Sequence, residues 1–235
     1  MGVIAAVRRE LKENIDEKTR DTQQHFFKEK VAGYGVKTNV VTKIAYKYFQ
    51  EVKILPKNKA FDLCEELLKS DYNEEAWIAF EWSQHFSRQF TPDDFPRFER
   101  WIRDYVNNWA KCDTLCNHTI GDFITMYPQF MPNLKSWMKS ENRWFKRAAA
   151  VSLILPARRG RFLPDVFEIA DALLLDNDDL VQKGYGWMLK EASKLHTKEV
   201  FDYIIRNKNV MPRTALRYAI EKMPPELKKK AMEKV

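Results

Sequence analysis

The sequence repeats itself at a step of 36 residues, and no other feature narrows the possible folds as much. Pro96 and Pro132, Trp101 and Trp137, Ile102 and Met138, Arg103 and Lys139, Trp109 and Phe145, and Lys111 and Arg147 are each 36 apart. A further step of 36 carries Arg147 to Lys183, Ala148 to Gly184 and Ala150 to Gly186. The intervening helix breaks the step, since Pro164 follows Pro132 by only 32. With seven glycines and almost no runs of period 2, nothing in the chain asks for a sheet.

Helix pairs that recur every ~35–45 residues bury their apolar faces by stacking on their neighbours. The expected fold class is therefore all-α: an α-solenoid of HEAT-like helical repeats with a concave basic groove. Linker signals are absent, so residues 1–235 are expected to form one domain. Forty Lys and Arg against thirty-three Asp and Glu leave a net charge of +7, which points to a polyanionic partner. Seven Trp and fifteen Phe exceed what a plain helical scaffold requires.

Three cysteines, Cys64, Cys112 and Cys116, have no disulfide-framework spacing and fit a reducing cytosol. Cys112, Cys116 and His118 suggest zinc at first sight. His118, however, points away from the two thiols on a helix and no fourth ligand is near, so neither metal nor cofactor is expected. Met1-Gly2-Val3-Ile4-Ala5-Ala6-Val7 runs straight into charges, which does not read as a signal peptide. No apolar run approaches the ~20 residues of a membrane span, so no membrane partner is expected. A cytoplasmic protein, nucleoid-associated in a prokaryote, and a monomer are the expectations.

Along the chain, an amphipathic helix runs to about Lys18 and a second from about Arg20 to Val31, stopped by Gly33-Tyr34-Gly35. Thr38 is placed to N-cap a third helix carrying Val41, Ile44, Ala45 and Tyr48. That helix start beside Lys37 reads equally as a phosphate site or as a plain capped turn. Helices follow at about Asn58–Lys69 and Asn73–Ser87, and another begins at Thr91-Pro92-Asp93-Asp94. After Pro212 the helices continue to a basic C-terminal one holding Lys228, Lys229 and Lys230.

The helix expected from Asn108-Trp109 to about Met126, closed by Tyr127-Pro128, carries the candidate chemistry. Cys112, Leu115, Cys116, Ile120, Phe123 and Ile124 share its apolar stripe, while Lys111, Thr114, Asn117, His118 and Asp122 lie opposite. Asp113 falls inside the apolar stripe, with Trp109 one turn behind it. A carboxylate half out of water needs compensation, which makes it a functional candidate. The alternative is a carboxylate that reaches a helix N-terminus or a core lysine. At the equivalent place in the next repeat, Arg147 lies among Trp144, Val151 and Ile154; in the one after, Trp187 flanks the core stripe. Stacked repeats would let Trp109, Asp113, Arg147 and Trp187 meet in one cleft. Equally, both Trp are core filler and Arg147 neutralises Asp113.

Four segments together resemble the AlkD family of DNA alkylation repair proteins, DNA glycosylases built of HEAT-like repeats. They are Tyr34-Gly35-Val36-Lys37-Thr38, Asn108-Trp109 with Asp113, Trp144-Phe145-Lys146-Arg147-Ala148-Ala149 and Gly186-Trp187-Met188-Leu189-Lys190-Glu191. Pro212-Arg213-Thr214-Ala215-Leu216-Arg217 supports the match, which spans about residues 20–222 in family order. Some members carry a second Trp where this chain has Asn108.

The resemblance implies a monofunctional glycosylase that releases cationic N3- or N7-alkylated purines, such as 3-methyladenine and 7-methylguanine, from duplex DNA and so initiates base excision repair. It makes Asp113, Trp109, Trp187 and Arg147 the active-site residues. Such a base carries a positive charge and leaves neutral, so the developing sugar cation is what needs stabilising. Asp113 would supply fixed negative charge and hold the attacking water, and the two indoles would offer π faces to the cation. Arg147 would hold a phosphate or orient Asp113. Lys37, Thr38, Lys111, Arg143, Lys183, Lys190, Arg213 and Arg217, at repeat-equivalent or helix-end positions, are the candidate DNA contacts. The alternative is a non-catalytic repeat module that binds DNA or a protein partner.

Overall fold

The computed structural model describes residues 2–233, and no strand occurs among them. Met1, at the head of the segment read for a signal peptide, and Lys234 and Val235, at the end of the expected domain, lie outside the described residues. The helices are α1 (Val3–Glu13), α2 (Glu17–Gln23), α3 (Thr38–Val52), α4 (Lys57–Leu68), α5 (Asn73–His85), α6 (Phe95–Tyr105), α7 (Trp109–Thr114) and α8 (Gly121–Met126). They continue as α9 (Met131–Ser136), α10 (Arg143–Val151), α11 (Ile154–Arg158), α12 (Leu163–Ala172), α13 (Asp179–Ala192), α14 (Thr197–Asn207), α15 (Arg213–Ile220) and α16 (Pro225–Met232). No helix among the described residues is long and apolar enough to cross a membrane. The chain packs as two compact units, one through Leu115 and one from Cys116 onward.

In the first unit α3, α5 and α7 form a row, with α1 on α3 and α4 on α5. The Phe61 ring gathers those of Phe86, Phe90, Phe98 and Trp101 at centroid distances of 6.2, 6.3, 5.9 and 5.6 Å, an aromatic core between α4, α5 and α6. The Trp82 indole N–H donates to the Ala45 carbonyl at 2.9 Å and so fastens α5 to α3. In the second unit the row is α10, α13, α15, with α11 and α12 also against α13. Gly186 is why α13 and α15 approach so closely: a Cβ there would stand 2.8 Å from both the Ala215 oxygen and the Tyr218 Cβ. Trp101 and Trp137, 36 residues apart, are each buried in their own unit.

The structure departs from the expected helix limits where polar side chains capture the backbone. The first helix stops at Glu13 rather than Lys18, because the Asn14 amide donates to the Glu10 carbonyl (2.9 Å) and Asp16 opens α2 by accepting the Thr19 N–H (2.8 Å). The second ends at Gln23, followed by a 3₁₀ turn at Gln24–Phe26, instead of continuing to Val31. The Gln24 side chain donates to the carbonyls of Phe27 and Glu29 and accepts the Val31 N–H, taking groups that a longer helix would need. Thr38 does not N-cap α3: Lys37 occupies the cap position and Thr38 is the first helical residue.

The entry to α3 is set from a distance. The buried Glu74 carboxylate accepts the N–H groups of Tyr34, Gly35 and Val36 at 3.0, 2.8 and 3.1 Å. Glu75, also buried, accepts the Tyr34 hydroxyl at 2.6 Å and the Arg8 guanidinium at 3.0 Å. Gly35 holds φ at +82°, and a Cβ on it would stand 2.3 Å from that of Arg20.

The helix expected over Trp109–Met126 has the expected extent but not a uniform pitch. A π-helical segment, Leu115–Ile120, separates α7 from α8. Cys112, Leu115, Cys116, Ile120, Phe123 and Ile124 are all fully buried, and the wider segment brings Thr119 into the same buried set.

Candidate functional site

Asn108 starts α7, its side-chain oxygen accepting the Lys111 N–H at 3.1 Å, which fixes where Trp109 and Asp113 fall on the helix. Asp113 is half-buried, between the fully buried Cys112 and Leu115. The Trp109 indole N–H donates to the Phe26 carbonyl at 3.1 Å, and its ring stacks on Phe27 at 5.2 Å with 21° between planes. At most one face of the indole therefore remains for a nucleotide. Phe26 and Phe27 carry no sequence signal for this role, because they reach Trp109 only through the turn that follows α2.

Lys111 requires a correction. It was expected on the polar face as a DNA contact, yet it is 3% exposed. Its ammonium lies 2.9 Å from the Asp71 carbonyl oxygen, pairs with the Asp71 carboxylate and donates to the Asn107 side chain at 3.1 Å. Asp71 adopts a left-handed backbone (φ 65°), which turns both its oxygens to this lysine. The ammonium is thus a strut between the turn before α5 and the start of α7, and no longer a phosphate contact.

In the second unit Arg147, 36 residues beyond Lys111, is also buried, at 5% exposure. Its guanidinium donates to the Leu180 carbonyl in the first turn of α13, and its stem crosses Gly184. Trp187 is half-buried on α13. The Lys190 ammonium lies 6.0 Å from the Trp187 ring centroid and 5.7 Å from that of Tyr218, and it pairs with Glu221 at 3.0 Å. The hydrogen bond from Lys190, seconded by Lys222, holds the Glu221 carboxyl below the usual range.

The other candidate DNA contacts sit on or beside the same rows of helices, several already neutralised. Lys37 pairs with Asp16 at 2.8 Å, which holds that carboxyl well below its usual range, and Thr38 is exposed. Arg143 pairs with Asp178 at 3.1 Å, Asp178 also capping α13, and Lys183 pairs with Asp179 at 3.1 Å. Arg213 and Arg217 on α15 are exposed, with no acid partner among the described residues. No three His, Cys, Asp or Glu side chains gather into a metal-holding group among the described residues, and the three cysteines are buried and form no disulfide.

A family model described as DNA alkylation repair enzyme matches residues 7–223. A search of curated proteins finds no match. A solved structure titled "Predicted DNA alkylation repair enzyme from Enterococcus faecalis" superimposes with a TM-score of 0.79 at 15% identity, over 90% of this chain and 98% of that one. At that identity the superposition speaks for a shared fold, while the family match takes in nearly all of the chain, both units and every candidate residue. The chain belongs to the DNA alkylation repair enzyme family.

Proposed function

We propose that the chain is an AlkD-like, monofunctional DNA glycosylase that hydrolyses the N-glycosidic bond of cationic N3- or N7-alkylated purines in duplex DNA, acting as a monomer without metal or cofactor. The observation that carries the reading is Asp113: a carboxylate held on a short, capped helix between fully buried neighbours, one turn from an indole already fixed on both its N–H and one ring face. Such a charge is paid for in folding and is poised to gain in strength as an adjacent sugar cation develops. Trp109 and Trp187 offer π faces, each worth about 0.5–2 kcal/mol toward a cation. Arg147, whose guanidinium donates to the Leu180 carbonyl, brings a fixed positive charge to attract a phosphate. Incubation with duplex DNA containing 7-methylguanine, assayed for free base, tests the reading; intact DNA after prolonged incubation with excess protein refutes it.

The acid-paired cations change the expected salt response of DNA binding. A phosphate that draws Lys37 from Asp16, or Arg143 from Asp178, leaves behind an acid that takes up a counterion. Release from DNA, at about −0.9 per contact in the log–log slope, is then partly offset. Duplex binding measured by fluorescence anisotropy across a salt series should therefore give a slope nearer about −2, the share of Arg213 and Arg217, than the about −5 of six unpaired cations. A slope at the steeper value would show that the acid pairs do not survive in solution.

A further inference from the structure

We infer that Trp77 is a positioning residue for Asp113: when duplex DNA covers the site, the Trp77 indole N–H donates to the Asp113 carboxylate and holds it at one angle to the reacting sugar. The inference rests on the proposed role of Asp113 and names the donor that steadies it.

In the first unit the indoles of Trp82, Trp101 and Trp109 all have an acceptor. Trp82 donates to the Ala45 carbonyl at 2.9 Å, Trp101 to Glu65 at 3.3 Å and Trp109 to the Phe26 carbonyl at 3.1 Å. The Trp77 N–H has none among the described residues, although the nitrogen is buried. A buried donor without an acceptor is destabilising, and native chains keep few of them. Trp77 is half-buried on α5, and a phenyl ring would cover the same apolar surface without stranding a donor.

The register of two helices sets which acceptor stands beside it. α5 packs against α7. The Asn108 side chain, which caps α7, donates at 2.9 Å to that of Asn73, the first residue of α5, and Asn107 donates to the Asp71 carboxylate at 2.8 Å. These bonds hold the first turns of the two helices level. Trp77 and Asp113, 36 apart in the chain, are then each the fifth residue of its helix. Asn73 lies one turn before Trp77, so the indole springs from the side of α5 that is turned to α7.

The outer side of the half-buried Asp113 is open to water. Duplex DNA over the site excludes that water and brings phosphates near the carboxylate. Both effects drive the acid inward, and a carboxylate out of water needs a donor. A hydrogen bond to an ionised acceptor is about twice as strong as one between neutral groups, which suits it to fixing a short side chain. The donor stranded in the free chain is thereby satisfied in the complex.

The test follows the indole N–H signals of the full chain in nitrogen–proton spectra. The Trp77 signal is assigned by its loss in Trp77→Phe, and unmoved Trp82 and Trp101 signals certify the fold. Saturating unmodified duplex is expected to move the Trp77 signal downfield in the parent but not in Asp113→Ala, which lacks the acceptor. A Trp77 signal indifferent to duplex, or one that moves equally in both proteins, would overturn the inference. This measurement involves no turnover, so a chain that binds duplex and releases no 7-methylguanine refutes the glycosylase reading while the signal still decides the role of Trp77. In single-turnover excision, Trp77→Phe keeps a ring and removes the N–H; release should slow about 10-fold, the scale of one hydrogen bond to a charged group, at unchanged duplex affinity. In the Asp113→Ala background the same substitution should change nothing further, whereas equal slowing in both backgrounds would reduce Trp77 to a structural part.

Discussion

Asp113→Asn is expected to slow excision of 7-methylguanine by ~10²–10³-fold, the scale seen when one preorganised electrostatic contact is removed from a transition state. The substitution keeps the shape of a half-buried side chain between Cys112 and Leu115 and removes only its charge. The effect therefore belongs to the step in which the sugar acquires positive charge, and it appears in single-turnover rates at saturating enzyme. Duplex affinity is expected to stay level or to rise slightly, because a negative charge near phosphates has gone. Lys111 is no suitable control, since its ammonium is buried on Asp71. Asp104 is, being a surface carboxylate at the end of α6 whose partner is the adjacent Arg103 at 2.9 Å; Asp104→Asn should excise at the parent rate. Excision by Asp113→Asn at the parent rate would remove the catalytic role and leave Asp113 a structural carboxylate.

The largest loss of stability from a single polar substitution is expected at Glu74. Three consecutive backbone N–H groups, of Tyr34, Gly35 and Val36, have this buried carboxylate as their partner. Glu74→Ala strands all three, and with about 1–3 kcal/mol for each buried unsatisfied donor, partly relieved by water entering the gap, the net loss is about 3 kcal/mol. For a chain of this size that lowers the midpoint of thermal unfolding by roughly 6–12 °C. Because the clamp sets the entry to α3, duplex DNA should also bind Glu74→Ala more weakly than it binds Lys37→Gln, measured well below either midpoint. Glu74→Gln, which retains one acceptor oxygen, should fall between Ala and the parent. A midpoint for Glu74→Ala within a degree of the parent would mean that the loop finds other partners and that the clamp does not govern it.

The sequence by itself determined that the chain is all-helical and which faces of its helices are buried. Apolar stripes of helical period survive into the structure because burial acts on each face almost independently of its neighbours: the six stripe residues from Cys112 to Ile124 are all fully buried. Lys111 and Arg147, 36 residues apart, are both buried cations that donate to a backbone carbonyl. Gly186, noted in the sequence as a repeat match and as the start of a family-like segment, acquired its reason when Ala215 and Tyr218 came to lie against it. What periodicity could not reveal was where each polar group finds its partner. Lys111 sits at a polar-face angle on its helix, but the left-handed turn at Asp71, 40 residues earlier, supplies two oxygens and turns an apparent surface lysine into a buried one. Phe27 on Trp109, Glu74 on the loop before α3, and Tyr218 beside Lys190 are contacts of the same kind. A helical period is written locally in the chain, whereas a hydrogen bond or a ring contact between distant segments exists only once tertiary packing has brought the two together.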